Sequence, residues 1–170
     1  MNESEHNSIA LSVEQWLELV KRGANIPVTI PIMGTSMLPV IRYKVDLTTI
    51  VPMRREPQEG DIVLFRRFGD GAMVVHRVYR VLEDRVQTWG DNCPRPDHSV
   101  SREDVLGLAV SVCRDGRTIL LDTEEQRRRG LRWMHSPIRR RLWFAWSTLR
   151  WLPGKMIRKV WPDFHKQKRN

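Results

Sequence analysis

Cysteine is scarce in this chain, and its spacing excludes more than its number does. Only Cys93 and Cys113 occur among 170 residues, with no CxxC pair for a structural metal and too few thiols for a disulfide framework. Both are expected to be thiols in a reducing compartment, with a single bridge between them as the alternative. Long apolar runs are missing as well. The densest, Leu142-Trp143-Phe144-Ala145-Trp146, falls far short of the roughly twenty residues that a membrane-spanning helix needs, so no transmembrane helix is expected. Met1 to Ser8 is polar and acidic and lacks the apolar centre of a secretory signal. A cytoplasmic or peripherally membrane-associated protein is the expectation.

Acid is the third shortage, and it is local. Residues 126–170 hold 14 Lys/Arg against one acid, Asp163, whereas residues 1–125 hold 15 Lys/Arg against 19 Asp/Glu. The net charge of +9 is thus a property of the C-terminal end, and such asymmetry points to an anionic partner surface, membrane or nucleic acid. The length suits one domain with an appendage, enough to bury roughly 70% of the unfolded surface.

What is present is mostly strand. Ser12-Val13-Glu14-Gln15 reads as a capping box, followed by Val13, Trp16, Leu17 and Val20 on one helical face and a stop at Gly23. From Ile26 onward the period turns extended. Strands are predicted at Val28–Ile32, Leu47–Val51, Asp61–Arg66, Met73–Val81, Arg85–Trp89, Val105–Val112 and Thr118–Leu121, with hairpin turns at Gly69-Asp70-Gly71, Glu83-Asp84 and Asp115-Gly116. No helical pattern intervenes, which argues against parallel βαβ units. The chain divides into an N-terminal segment with an amphipathic helix (1–25), an antiparallel, mainly β domain (26–122) and a basic, Trp-rich helical tail (123–170).

Two polar stretches and one histidine within a strand stand out from this pattern. Gly34-Thr35-Ser36-Met37-Leu38-Pro39 follows the first strand, and taken alone its serine is a turn hydroxyl. In Met73–Val81 the alternation places Val74, His76 and Val78 on one face and Val75, Arg77, Tyr79 and Val81 on the other. A lone histidine there reads most simply as a core residue bonded to a carbonyl. Gly90-Asp91-Asn92-Cys93-Pro94-Arg95-Pro96-Asp97-His98 is a proline-stiffened loop in which Asp91 and Asp97 can be held in place, although each also reads as a turn cap. A metal site from Cys93, Asp97 and His98 lacks a second ligand pair.

Taken in order, Gly34 to Pro39, Gly60-Asp61-Ile62-Val63, Val74-Val75-His76-Arg77-Val78 and Gly90-Asp91-Asn92 with Asp97 resemble the boxes of type I signal peptidases. The same boxes mark the wider clan that includes LexA-like self-cleaving proteins. The resemblance covers roughly Val28 to Val112, and it implies a coiled antiparallel β domain of that type. With His76 where other branches carry lysine, the chain resembles the histidine branch found in the endoplasmic reticulum and archaea. By that resemblance Ser36 is the nucleophile, His76 the general base, Asp97 the orienting acid and Asp91 a supporting acid. Gly34, Thr35, Met37 and Pro39 then belong to the oxyanion and substrate side, and no metal or cofactor is required. The chemistry suits these residue types, since a serine hydroxyl needs a base to take its proton and imidazole can return it to the leaving amine. Two departures stand out. Gly34 occupies the position where many signal peptidases place a serine as second oxyanion donor, so that donor is either missing or supplied by Thr35 beside the Ser36 N–H, and no membrane anchor precedes the nucleophile box. By the same resemblance Pro27–Ile32 pairs with substrate as an added strand.

The tail offers a helix start at Ser136-Pro137 and a stop at Pro153-Gly154, with Ile138, Leu142, Trp146 and Leu149 in register between arginines. This suits either an in-plane helix on an anionic membrane or a helix packed on the β domain with its arginines in water. Nucleic acid ranks third, because no recognition motif accompanies the Trp and Arg. The expectation is a serine endopeptidase that cleaves a signal- or leader-type peptide. The alternative is a catalytically weak peptide-binding or regulatory module of the same fold, its tail contacting membrane or nucleic acid.

Overall fold

The computed structural model describes residues 12–136 together with 138, 141, 142 and 145. Two compact units divide the chain, Met1–His135 and Ser136–Asn170, and each is described by itself.

Helix α1 (Val13–Lys21) begins at the capping box read from the sequence: the Ser12 hydroxyl accepts from the Gln15 N–H, and the Gln15 side chain accepts from the Ser12 N–H. Its apolar stripe buries Trp16 and Leu17, and the Trp16 indole N–H donates to Ile26 O at 2.8 Å. That bond satisfies the one polar atom of a ring that is 0% exposed.

Eight antiparallel strands follow in a curled half-barrel: β1 (Val28–Pro31), β2 (Leu47–Pro52), β3 (Ile62–Arg66), β4 (Met73–Val81), β5 (Arg85–Trp89), β6 (Val100–Ser101), β7 (Val105–Arg114) and β8 (Arg117–Leu120). The spatial order is β1-β2-β7-β3-β4-β5-β6, with β8 also on β7. Strand β7 pairs with β2 along one edge, while β3 takes the first half of its other edge and β8 the second. Register shifts at Thr49/Ile50, Leu64/Phe65 and Val78/Arg80 supply the local twist that curls a sheet. Both faces are covered. Ile50, Ile62, Leu64, Val75 and Ala109 pack with Trp16 and Leu17 of α1 on one side, and Val63, Phe65, Val78, Val86 and Leu108 make a second core on the other.

A second helix, α2 (Glu124–Met134), lies inside the stretch assigned from sequence to the basic tail, yet it packs on the β body. Thr123 caps it, and Gly60 and Gly130 are the two points of closest approach. A side chain at Gly130 would begin 2.3 Å from the Arg77 guanidinium carbon, and one at Gly60 would begin 2.8 Å from Arg127 Cβ. In the second unit Ile138, Arg141, Leu142 and Ala145 are helical, and Pro137 of the predicted start at Ser136-Pro137 lies outside the described residues. Trp143, Trp146, Leu149, Trp151 and the Pro153-Gly154 stop lie outside the described residues, as does the Met1 to Ser8 stretch. Among the described residues no helix is long and apolar enough to cross a membrane.

Candidate active site

The middle of the sheet supplies the most rigid group. His76 on β4 sits opposite Val63 of β3, with the Phe65 ring 6.1 Å away and tilted by 53°, so the imidazole is walled in by the second core. Its side chain is 8% exposed. Nδ1 donates to Asp97 Oδ2 at 2.7 Å, and the Thr88 hydroxyl donates to the same oxygen at 2.7 Å. Asp97 is fixed in turn by its N–H on Thr88 O at 2.9 Å and by Gln87 Nε2 on its carbonyl at 3.2 Å. Strand β5 therefore positions the acid and β4 the base, and a hydrogen-bonded carboxylate that holds one ring nitrogen sets the tautomer of the other.

Ser36 lies on a turn between β1 and β2 that is fastened at both ends. Met37 and Ile41 are each 1% exposed in the first core, and they hold the turn down like two pegs. Asp46 accepts from the Arg42 N–H and from Arg114, whose guanidinium also donates to Val40 O. Gly34 has φ +107 with nothing near its Cα to crowd a side chain. Glycine is thus demanded by the backbone angle, which a serine could adopt only under strain. Met37, grouped from sequence with the substrate side, has its side chain in the core and can meet a substrate only through its backbone. Thr35 and Pro39 are exposed and Ser36 is half-buried.

The loop after β5 joins the two. Asn92 N–H donates to Ser36 O at 2.7 Å, and Asn92 Nδ2 donates to Thr35 O at 3.0 Å. A side chain at Gly90 would begin 2.6 Å from Cys93 Sγ, 2.9 Å from Ser36 O and 3.0 Å from His76 Nε2. Only a missing Cβ lets these three groups meet. The structure therefore brings Ser36, His76 and Asp97 into one place across three parts of the chain. Asp97 holds Nδ1 of the imidazole, while Cys93 Sγ, Ser36 O and Nε2 gather around one point above Gly90. Burial pulls the imidazole down, but hydrogen bonds and charge from Asp97 and Cys93 more than offset it, raising His76 from 6.5 to about 9.

Asp91 does a different job from Asp97. Its carboxylate is 0% exposed and takes Arg77 Nε at 2.9 Å and Nη2 at 2.8 Å, and its carbonyl accepts the Trp133 indole N–H at 3.0 Å. Arg77 Nη1 also donates to Gly60 O at 2.8 Å. A buried bidentate pair of this kind is rigid because breaking it would strand a charge in the core. Asp91 is thus a foundation for the loop that carries Asn92, Cys93 and Asp97. Thr88, Gly130 and Trp133 were not singled out from the sequence, which named Arg77 only as part of the histidine box and Cys93 only as a thiol and a weak metal candidate. For α2 the signal was there, in Thr123 followed by Glu124, Glu125 and Gln126, a capped helix start.

No family model matches the chain, and no curated protein or solved structure matches it. The reading of the site thus rests on its own geometry. Among the described residues no group of three or more His, Cys, Asp or Glu side chains is placed to hold a metal ion.

Proposed function

We propose that this chain is a serine endopeptidase similar to the histidine-base type I signal peptidases, cleaving a signal- or leader-type peptide through Ser36, His76 and Asp97. The observation that carries the reading is the 2.7 Å bond from His76 Nδ1 to Asp97, with Nε2 and the Ser36 turn converging on Gly90. In the proposed reaction Nε2 takes the Ser36 proton as Oγ attacks the scissile carbonyl, and the imidazolium returns it to the leaving amine. Asp97 stays ionised and steadies the imidazolium. The Ser36 N–H is the oxyanion donor of this scheme, and a donor of that type lowers the barrier by about 3 kcal/mol.

Strand β1 ends the sheet order and pairs on one side with β2 alone. Its second edge suits an extended peptide laid down as a further strand leading into Ser36. The basic stretch after residue 126 would bring such an enzyme to an anionic membrane surface, where its substrates' apolar segments would collect. Ser36→Ala should abolish cleavage of a leader-type peptide library and labelling by a serine-directed acylating probe. Full cleavage by that variant would sink the proposal.

One observation favours the weaker alternative, a peptide-binding module of the same shape. The imidazole is bonded to Cys93 and raised to about 9, so at neutral pH it is mostly protonated and a poor base. Binding of the peptide library to wild type and Ser36→Ala alike, with no acylation of Ser36 at about pH 9, would select the module.

A further inference from the structure

The thiol beside His76 has no place in the serine mechanism. Cys93 is half-buried while Cys113 is exposed, and both remain unbridged. The Cys93 backbone is held firmly: its N–H donates to Gly90 O at 2.9 Å and its carbonyl accepts the Trp89 indole N–H at 3.0 Å. That loop rests on the Arg77–Asp91 pair. Sγ and His76 Nε2 flank the same point above Gly90, at 2.6 and 3.0 Å from it. Because Nδ1 is taken by Asp97, the nitrogen that faces the thiol is the one that Ser36 would need.

We infer that Cys93 is a base-activated thiol, a covalent modification site for small disulfides, and that its modification removes His76 Nε2 from the service of Ser36. A sulfur next to an imidazole backed by a carboxylate is the arrangement of a nucleophile, its base and an orienting group. The attacking form carries the proton on Nε2 and the charge on sulfur, and the position of Nε2 beside Sγ above Gly90 supplies the acceptor for that proton. The sulfur attacks one sulfur of a disulfide RSSR. One S–S bond forms between Cys93 and that sulfur, the old S–S bond breaks, and the departing thiolate takes the proton from Nε2 to leave as RSH. Excess thiol reverses the exchange.

The effect on Ser36 rests on the peptidase reading, whereas the reactivity of Cys93 does not, and the experiment keeps them apart. Full-length protein is treated with 2-hydroxyethyl disulfide at neutral pH, and adducts at Cys93 and Cys113 are timed by peptide mass mapping. An ordinary thiol is only a few per cent thiolate at pH 7. Holding the proton on Nε2 should therefore make Cys93 react about tenfold faster than Cys113 once the loss of intrinsic nucleophilicity is counted. Exposure alone ranks them the other way. His76→Gln should erase the advantage, and Asp97→Asn, which keeps the imidazole, should reduce it. Both variants are checked for native far-UV and near-UV circular dichroism. Cys93 reacting no faster than Cys113, or an advantage that survives His76→Gln in a folded variant, would overturn the inference. In the second arm, the Cys93 adduct should lose Ser36 acylation and regain it on reduction; acylation that persists in the adduct refutes the blocking step. If unmodified protein is never acylated, the peptidase reading fails, and the shift of the His76 imidazole titration to lower pH in the adduct decides whether Nε2 has lost its partner.

Discussion

Raising the pH should cost this fold stability through one residue, and the amount can be worked out. His76 is raised from 6.5 to about 9 because its bonds to Asp97 and Cys93 outweigh burial. A shift of one unit is worth about 1.4 kcal/mol, so the folded state gains about 3 kcal/mol from binding this proton. The imidazole is only 8% exposed, so solvent screens little of that. A folded pKa above the unfolded one means that the gain is complete below the unfolded value of 6.5 and disappears as the pH climbs through about 9. Urea unfolding of wild type and His76→Gln at about pH 6 and about pH 10 measures it, because the variant keeps the titrating groups that do not touch His76 and subtracts them. Wild type should lose about 3 kcal/mol more than the variant across that range. Parallel loss in the two proteins, or an imidazole that titrates by NMR at or below 6.5, would refute the reasoning.

Further outcomes follow from the same contacts. Peptide cleavage should rise with pH and level off only above about 9, and Cys93→Ala should move that rise to lower pH by removing one of the two groups that raise the imidazole. Initial rates across a buffer series check both. Arg77→Met should destabilise the fold by roughly 3–5 kcal/mol, since Asp91 would be left buried without its partner, and thermal unfolding would show it; Asp91→Asn in the same background should recover part of the loss. Gly90→Ala should cost roughly 1–3 kcal/mol by overpacking and should abolish Ser36 acylation more completely than it lowers the melting temperature, because the new methyl meets the Ser36 carbonyl and Nε2 together.

The strands were legible because alternation and turn glycines both mark them, and Met73–Val81 and Arg85–Trp89 agree with the sequence to the residue. Strand β6 was not, since Val100–Ser101 has two residues and a period of two cannot be read from one repeat. Helix α2 marks its start at Thr123 but not its face, since EEQRRRGLRWM offers few apolar residues to show one. Glycine in mid-helix reads as a weakness until the guanidinium beneath it is seen. The candidate site was partly legible. Ser36, His76, Asp91 and Asp97 came from a resemblance carried by spacing, and the structure separates the two acids by what they hold. An arginine on a strand reads as surface, so the buried Arg77–Asp91 pair could not be foreseen. Nor could the meeting of Cys93 with Nε2, because sixteen intervening positions say nothing about which nitrogen a thiol will face.

The Asn92 bonds that hold the Ser36 turn also fix a schedule. Thr35 and Asn92 are 57 residues apart, and the chain is made from the N-terminus. At about 5–20 residues per second, a ribosome needs roughly 3–11 s to make the second after the first. During that interval the turn exists with neither its clamp, nor its imidazole neighbour for most of the time, nor its acid. On the proposed reading, a half-made chain therefore carries an unarmed serine past every nascent neighbour, and reactivity arrives only when the loop has been synthesised and closed.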